Sequence, residues 1–188
     1  MRSKVTRYRV KCAQELHGRI LDIGAGEGHY TSYLRGEVVS LDPDFENLSK
    51  VLSTKVVGSA EGLPFPDNTF DAIWSCAVLE HVKKNYIPNA IRVTKPGGII
   101  YILTPNRNSL YDPIKRLFGF GDWWSNEGHV RLYAAHELRK YGKIWGEVWW
   151  APGLDQVARV FPFLGHTLML RIEVSAQLKA RFVFDDRL

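Results

Sequence analysis

The sequence predicts an α/β fold built on a doubly wound, mostly parallel sheet with helices on both faces. Three observations lead to this prediction. An apolar strand at 20–23 runs directly into a turn with glycine at positions 24, 26 and 28. A second apolar run at 37–42 ends in an acid, and a third at 99–103 is nearly continuous, as in strands buried on both faces. Helical character at 29–35, and from Pro88 to a stop at 95–97, supplies the intervening helices.

The glycine turn is the first candidate binding element. Glycine accepts positive φ and lets a ligand approach the main chain, and a strand, glycine turn and helix together make a nucleotide-type corner. A dinucleotide fingerprint, G-x-G-x-x-G, requires glycine at position 29, which is His29 here. The spacing is therefore G-x-G-x-G, which alone is also compatible with an ordinary tight turn.

The acid that ends the second apolar run is the next candidate. In a doubly wound sheet the end of the second strand lies beside the first turn, so Asp42 could accept hydrogen bonds from both hydroxyls of a ribose. The alternative is that Asp42, followed by Pro43 and Asp44, caps the next helix.

Four motifs in order carry a resemblance to a known family. Asp22 precedes the glycine turn, Asp42 follows, residues 58–82 read GSAEGLPFPDNTFDAIWSCAVLEHV, and residues 92–106 read RVTKPGGIIYILTPN. Over about 18–106 the chain resembles the class I S-adenosylmethionine-dependent methyltransferases of type 11, which include ubiquinone-pathway enzymes. The resemblance implies a Rossmann-like fold with seven strands, the last antiparallel. It also implies S-adenosylmethionine as cofactor and S-adenosylhomocysteine as product.

The resemblance also assigns cofactor-binding positions, which are Asp22, Gly24, Ala25, Gly26, Asp42, Pro43, Ser59, Ala60, Glu61, Ser75 and Cys76. Position 59 departs from the family, which usually has Asp there in contact with the adenine amino group. The Ser59 hydroxyl can still accept a hydrogen bond, although a neutral contact is weaker than a charged one. Because of this departure, a second interpretation stays open, in which the protein binds S-adenosylmethionine but is catalytically inactive.

Candidate catalytic residues are few, because the sulfonium already makes the methyl group electrophilic and the protein mainly positions the acceptor. If the acceptor is a hydroxyl, His81 is the first candidate base, with Glu80 beside it, and His129 is the second. A structural role is the alternative for both histidines. Glu80 and His81 are two adjacent potential metal ligands, too few to indicate a metal site, so no metal is expected.

Composition favours a single domain over 1–188 in a reducing compartment, expected to be the cytoplasm, and the resemblance implies that this domain is a methyltransferase. The length of 188 residues suits one domain, and two cysteines, Cys12 and Cys76, make no disulfide framework. No run has the length of a membrane span, and the first residues lack the apolar core of a signal peptide.

The net charge of +5 is partly concentrated at the start of the chain, where five basic residues precede the first acid. Val5, Tyr8, Cys12 and Leu16 recur at helical spacing, which predicts a basic amphipathic helix ending near Gly18. Either this helix packs on the sheet with a solvated basic face, or that face contacts an anionic phospholipid surface or RNA.

The second half is expected to supply the acceptor side of the site. A short helix is predicted at 108–120 within a substrate-side insertion or lid at about 107–133, whose aromatic residues include Phe118, Phe120, Trp123 and Trp124. They suit a small aromatic or lipid-like acceptor, with RNA as the alternative, unless they simply cover the sheet.

The remaining elements are predicted from their patterns. A helix is expected at 134–141 and a strand at 143–150, which ends in Trp149 and Trp150. Residues 168–174 alternate with period two, as in a strand, but could also form a helix that leads to a final strand at 180–184.

Overall fold

Seven strands pair into one sheet in the computed structural model, which describes residues 6–110, 128–148 and 155–183. They are β1 (Arg19–Ile23), β2 (Glu37–Asp42), β3 (Thr54–Val57), β4 (Phe70–Cys76), β5 (Thr94–Pro105), β6 (Lys143–Glu147) and β7 (Thr167–Glu173). Their spatial order is β3-β2-β1-β4-β5-β7-β6. The first five strands are parallel, and β7 runs antiparallel between β5 and β6. The predicted doubly wound, mostly parallel sheet is confirmed.

Helices cover both faces of this sheet. The α-helices are α1 (Arg7–Gln14), α2 (Phe45–Ser49), α3 (Ile87–Val93), α4 (Ala135–Leu138), α5 (Asp155–Val160) and α6 (Ala176–Val183). One apolar cluster joins the sheet to α3, α4 and α6, and a second joins the opposite face to α1. Burial on both faces explains why the central strands read as continuous apolar runs.

The helix predicted at 29–35 is wrong, because the structure has only a three-residue 3-10 turn, Thr31–Tyr33. The Thr31 hydroxyl donates a 2.6 Å hydrogen bond to Asp22, and the Tyr30 ring packs on Trp74 with centroids 5.2 Å apart. Thr, Ser and Tyr are also only moderate helix formers. Side-chain contacts to the sheet therefore replace helical hydrogen bonds in this short connection.

The ambiguity in the last part of the chain is resolved in favour of the period-two pattern, since 167–173 forms β7. The alternative final strand at 180–184 is wrong, because Ala176–Val183 is helical. Leu178 and Phe182 lie four residues apart on one helix face and pack against the core, where the Phe182 ring lies 4.7 Å from that of Tyr141. A shared helical face decides against the strand.

Several predicted boundaries shift. Within the motif at 58–82, β4 ends at Cys76, since Ala77 adopts a φ of 58°. The helix expected to stop at 95–97 ends at Val93, and β5 begins at once with Thr94. Of the helix predicted at 134–141, only the residues of α4 are helical. Of the strand predicted at 143–150, β6 forms the first part, and Trp149 and Trp150 lie outside the described residues.

Residues 111–127, which include most of the predicted helix at 108–120 and most of the lid at 107–133 with its four aromatic residues, also lie outside the described residues. No helix in the described ranges is long and apolar enough to cross a membrane.

Only part of the basic face predicted for the first helix is exposed. Arg7 and Lys11 are exposed, but Arg9 is buried and lies 2.6 Å from Glu147, so it joins α1 to β6. The helix ends at Gln14, and Gly18 follows with a φ of +78° before β1. The buried ion pair removes Arg9 from any surface that this helix offers to an anionic partner.

Candidate functional site

The glycine turn is fixed to the end of β2 by its first two residues. The backbone N–H groups of Gly24 and Ala25 both donate to the Leu41 carbonyl, at 2.7 and 3.1 Å. Gly24 has a φ of +67°, and a Cβ there would lie 2.2 Å from a methyl carbon of Val78. Gly26 has a φ of +51° with open space around its Cα, so a ligand can approach the backbone there.

Asp42 is bonded to this turn. Its Oδ2 accepts from Gly26 N at 2.9 Å, and its Oδ1 accepts from Asp44 N at 2.9 Å. The cap of α2 is instead Asp44, whose carboxylate accepts from the N–H groups of Glu46 and Asn47. A carboxylate has about four lone-pair sites, so two remain for hydroxyl donors.

Asp22 lies beneath the same turn and is 2% exposed. Its Oδ2 accepts a 2.6 Å hydrogen bond from the Thr31 hydroxyl. Burial raises the pKa of Asp22 to about 7, against the lowering effect of Thr31 and with a further rise from the charge of Asp42. Its charge therefore changes near neutral pH.

Two adjoining cavities share Gly24 and together form a cleft at the carboxyl ends of β1, β2 and β4. Residues that line the first include Asp22, Gly24, Ala25, Gly26, Tyr30, Trp74 and Cys76. Residues that line the second include Gly24, Asp42, Pro43, Ser59, Ala60, Glu61 and His81. The fold thus gathers ten of the eleven predicted cofactor positions around one cleft.

The exception is Ser75, which is fully buried and lines neither cavity. Its Oγ donates to the Ile23 carbonyl at 3.3 Å and lies 2.6 Å from the Tyr86 hydroxyl. The Ser75 side chain therefore joins β4 to β1 and the start of α3, and its predicted contact with a cofactor is not supported by this geometry.

Two further predicted side chains are engaged in local contacts. Ser59 Oγ accepts from Glu61 N at 3.2 Å, which starts the 3-10 turn Ala60–Gly62. Glu61 Oε1 accepts from the N–H groups of Lys83 and Lys84 at 2.6 and 2.9 Å, and these bonds lower the pKa of Glu61. Glu61 thus ties the loop after β4 to the wall of the second cavity.

Sequence reasoning missed the aromatic wall of the first cavity, which Tyr30 and Trp74 form. Trp74 Nε1 has no hydrogen-bond partner in the part of the chain that the structure describes. The signal was present, since Trp74 lies two residues before Cys76 at the end of β4, and alternation along a strand puts both side chains on the same face of the sheet.

The two histidines proposed as bases lie together beside the second cavity. The rings of His81 and His129 have centroids 4.9 Å apart, at an interplanar angle of 54°. Glu80 is buried next to them, and its carbonyl accepts from Val130 N and Arg131 N at 2.8 and 3.2 Å. One ligand atom from each of Glu80, His81 and His129 lies within 4.8 Å of the others.

Comparison with known proteins gives a family match. The model of the family described as methyltransferase domain matches residues 21–102. The ubiquinone/menaquinone biosynthesis C-methyltransferase UbiE of Pasteurella multocida is 31% identical over 164 residues, which are 72% of this chain and 61% of the relative. The chain thus spans less than two thirds of that relative's length.

Solved structures share the fold at lower identity. A SAM-dependent methyltransferase from Thermotoga maritima is 19% identical with a TM-score of 0.64, over 88% of this chain and 86% of that one. A methyltransferase from Haloferax volcanii, solved in complex with the Trm112 methyltransferase activator, is 18% identical with a TM-score of 0.65, over 88% of both chains.

Proposed function

Because the chain belongs to the class I S-adenosylmethionine-dependent methyltransferases of type 11, we propose that it transfers the methyl group of S-adenosylmethionine to a small aromatic or lipid-like acceptor. S-adenosylmethionine is the cofactor that this family uses. The observation that carries the proposal is the G-x-G-x-G turn hydrogen-bonded to the buried Asp42.

The proposed pose follows the cleft. The ribose hydroxyls bond to the two lone-pair sites that remain on Asp42, and the adenine lies against Ser59 and Ala60 in the second cavity. The amino-acid end of the cofactor lies over Gly24–Gly26, near Asp22. The sulfonium then lies between the two cavities, close to Cys76.

The chemistry asks the protein to hold the acceptor atom in line with the S–CH3 bond. The acceptor's electron pair forms the new bond to the methyl carbon while the S–CH3 bond breaks, which leaves S-adenosylhomocysteine. The proton of a phenol or ring-carbon acceptor passes to a base or to solvent. Tyr30 and Trp74, which are 6% and 0% exposed, close the first cavity behind the amino-acid end of the cofactor. The UbiE relatives are named as C-methyltransferases of ubiquinone and menaquinone biosynthesis, and this supports a quinone-type acceptor.

The second half of the chain completes the proposal. We assign the whole chain to one domain and the acceptor side to the insertion at about 107–133, with His81 and His129 next to it. The RNA alternative has less support, because Arg9 is buried in its ion pair and is withdrawn from the basic surface of α1. A protein that only binds the cofactor remains the other alternative.

Calorimetry tests the cofactor assignment first. We expect S-adenosylhomocysteine to bind with one site per chain and NAD to give no heat. Tight binding of NAD without a response to S-adenosylhomocysteine would contradict the proposal.

Methyl transfer is then measured with methyl-labelled S-adenosylmethionine and three acceptor classes, namely demethylated quinones, simple phenols and total RNA. Label in the quinone or phenol fraction supports the proposed acceptor class. Label in RNA alone overturns it, and cofactor binding without any transfer supports the binding-only alternative.

A further inference from the structure

We propose that Glu80, His81 and His129 bind a divalent transition-metal ion of the zinc type at the edge of the cofactor cleft. Within the described residues, they form the one group of three Cys, His or acidic side chains whose ligand atoms lie within 4.8 Å of one another. The sequence predicted no metal site, because His129 is distant in the chain from the adjacent pair Glu80 and His81.

Backbone hydrogen bonds hold the three residues in place. Val130 N and Arg131 N both donate to the Glu80 carbonyl, at 2.8 and 3.2 Å, so the segment that carries His129 is attached directly to the residue before His81. The preceding turn places the Gly128 carbonyl 3.4 Å from His81 Nδ1. The juxtaposition therefore belongs to the backbone arrangement and does not depend on side-chain rotamers alone.

The Glu80 carboxylate is the buried anchor of the group. It is 1% exposed, and the Thr104 hydroxyl of β5 donates to its Oε2 at 3.1 Å. Ligating carboxylates are commonly oriented by such a neighbouring hydrogen bond. A bound cation would offset part of the cost of burying this charge. His81 is exposed and His129 is half-buried, so an ion can enter from solvent.

Two imidazoles and one carboxylate suit Zn²⁺ and related first-row ions. Zinc bonds of about 2.0–2.2 Å would require the ligand atoms to converge by roughly 1 Å, which rotation of the exposed His81 ring permits. Three protein ligands leave at least one coordination position open, as in catalytic zinc sites.

The position of the group indicates what the open coordination position would hold. His81 lines the second cavity together with Val130, which belongs to the insertion that is proposed to face the acceptor. If the proposed function is correct, the ion lies on the acceptor side and can bind an oxygen of the acceptor, such as a quinone or phenol oxygen. His81 is then a metal ligand and is no longer available as a base.

The test uses tag-free protein that has been treated with a chelator and dialysed. Titration with Zn²⁺ in a calorimeter should give one site per chain, and Co²⁺ should give the visible absorption of a low-coordinate site. His129→Ala and His81→Ala should each weaken Zn²⁺ binding by more than about 100-fold, since loss of a residue that only hydrogen-bonds to a ligand already costs about 10–100-fold. Thr104→Val should weaken it by about 10-fold.

His136→Ala is the matched control, because His136 is exposed and outside the group. This variant should bind Zn²⁺ with the affinity of the unmodified chain. Glu80→Gln tests the carboxylate with little change of shape, and circular dichroism of each metal-free variant checks its fold. Absence of Zn²⁺ binding to the unmodified chain overturns the proposal. So does affinity that stays within threefold in both His129→Ala and Glu80→Gln.

Binding of S-adenosylhomocysteine to the metal-free protein is measured in parallel. Cofactor binding without Zn²⁺ binding would reject the metal site and leave the proposed function intact. Zn²⁺ binding without cofactor binding would reject the proposed function, and the ion's role toward a methyl acceptor with it.

Discussion

The carboxylate of Asp42 accepts a hydrogen bond from the backbone N–H of Gly26 at 2.9 Å, which joins the end of β2 to the glycine turn after β1. The same side chain accepts from Asp44 N, and it is 8% exposed. The acid that is proposed to bind ribose therefore also stabilises the turn that is proposed to bind the rest of the cofactor. The structure places this strand-end acid inside the protein.

Replacing Asp42 by Ala should lower both cofactor affinity and stability. Loss of two charge-assisted bonds to ribose should cost roughly 2–4 kcal/mol, which raises Kd for S-adenosylhomocysteine by about 30- to 1000-fold. Leaving Gly26 N and Asp44 N without their acceptor should cost about 1–3 kcal/mol of unfolding free energy. Asp44→Ala is the control, since loss of the α2 cap should cost about 1 kcal/mol and leave Kd within threefold. Equal Kd values for the two variants would show that Asp42 does not bind the ribose.

Gly26→Ala should impair cofactor binding more than it impairs folding. A Cβ at Gly26 meets no atom within 4 Å, but its φ of +51° strains an alanine by about 1–2 kcal/mol. Gly97 is a matched control, with a φ of +86°, no atom near its Cβ and no place in the cleft lining. Both variants should lose similar stability in urea, while calorimetry should show a loss of affinity only for Gly26→Ala. The same affinity in both would show that no ligand approaches this turn.

Cofactor affinity should increase with pH through neutrality because of Asp22. Burial raises the pKa of this carboxyl to about 7, so below that pH it is mostly neutral. The cationic amino group of S-adenosylhomocysteine favours the ionised form, and binding should therefore release a proton. Kd should fall by up to about tenfold per pH unit below pH 7 and level off above it.

Asp22→Asn provides the check on this effect, since its affinity should be lower and nearly independent of pH from 5.5 to 8.5. The raised pKa also means that Asp22 contributes stability fully below its ordinary pKa of 3.8 and loses it as pH rises through about 7. Asp22→Asn should thus be more stable than the unmodified chain at pH 8. A pH-independent Kd in the unmodified chain would contradict the assignment.

His166 should make the protein sensitive to acid. This side chain is 2% exposed, and burial, followed by the positive charge of Arg9, lowers its pKa from 6.5 to about 3. The unfolded chain then binds a proton that the folded chain excludes. Its contribution to stability is present above pH 6.5 and should be lost as pH falls toward 3, by up to about 1.4 kcal/mol per unit. Urea unfolding of His166→Gln between pH 4 and 7 should show a weaker pH dependence, and an unchanged slope would contradict this.

Removing one partner of the Arg9–Glu147 pair should destabilise the protein more than replacing both partners by apolar residues. Arg9 Nε donates to Glu147 Oε2 at 2.6 Å, and both side chains are almost fully buried. Arg9→Met or Glu147→Leu alone should cost about 3–5 kcal/mol, because each leaves a buried charge, while the double variant should recover much of that loss. The exposed pair Arg19 and Glu37 is the control, with a coupling energy of at most about 1 kcal/mol. Additive losses at Arg9 and Glu147 would mean that the pair is not coupled.

The sequence by itself determined the central sheet and the cofactor side of the site. The strand before Gly24, the run that ends in Asp42 and the apolar strand at the centre of β5 are each encoded by neighbouring residues. Glycine spacing, strand-end acids and burial patterns are local signals, since a few consecutive residues fix the backbone and the side-chain alternation. These local signals, together with the family resemblance that they carry, predicted eleven cofactor positions, and ten of them line one cleft.

Only the tertiary structure decided where side chains from distant segments meet. It buried Arg9 against Glu147, gave Ser75 to an internal contact with Tyr86, and brought His129 beside His81. It also made 176–183 a helix, because its apolar residues pack on α3 and Tyr141. Such contacts depend on the order of strands in the sheet and on the packing of the loops that join them. The number of residues between two positions does not determine their distance in the fold, so the contact between the two histidines could be found only in the folded chain.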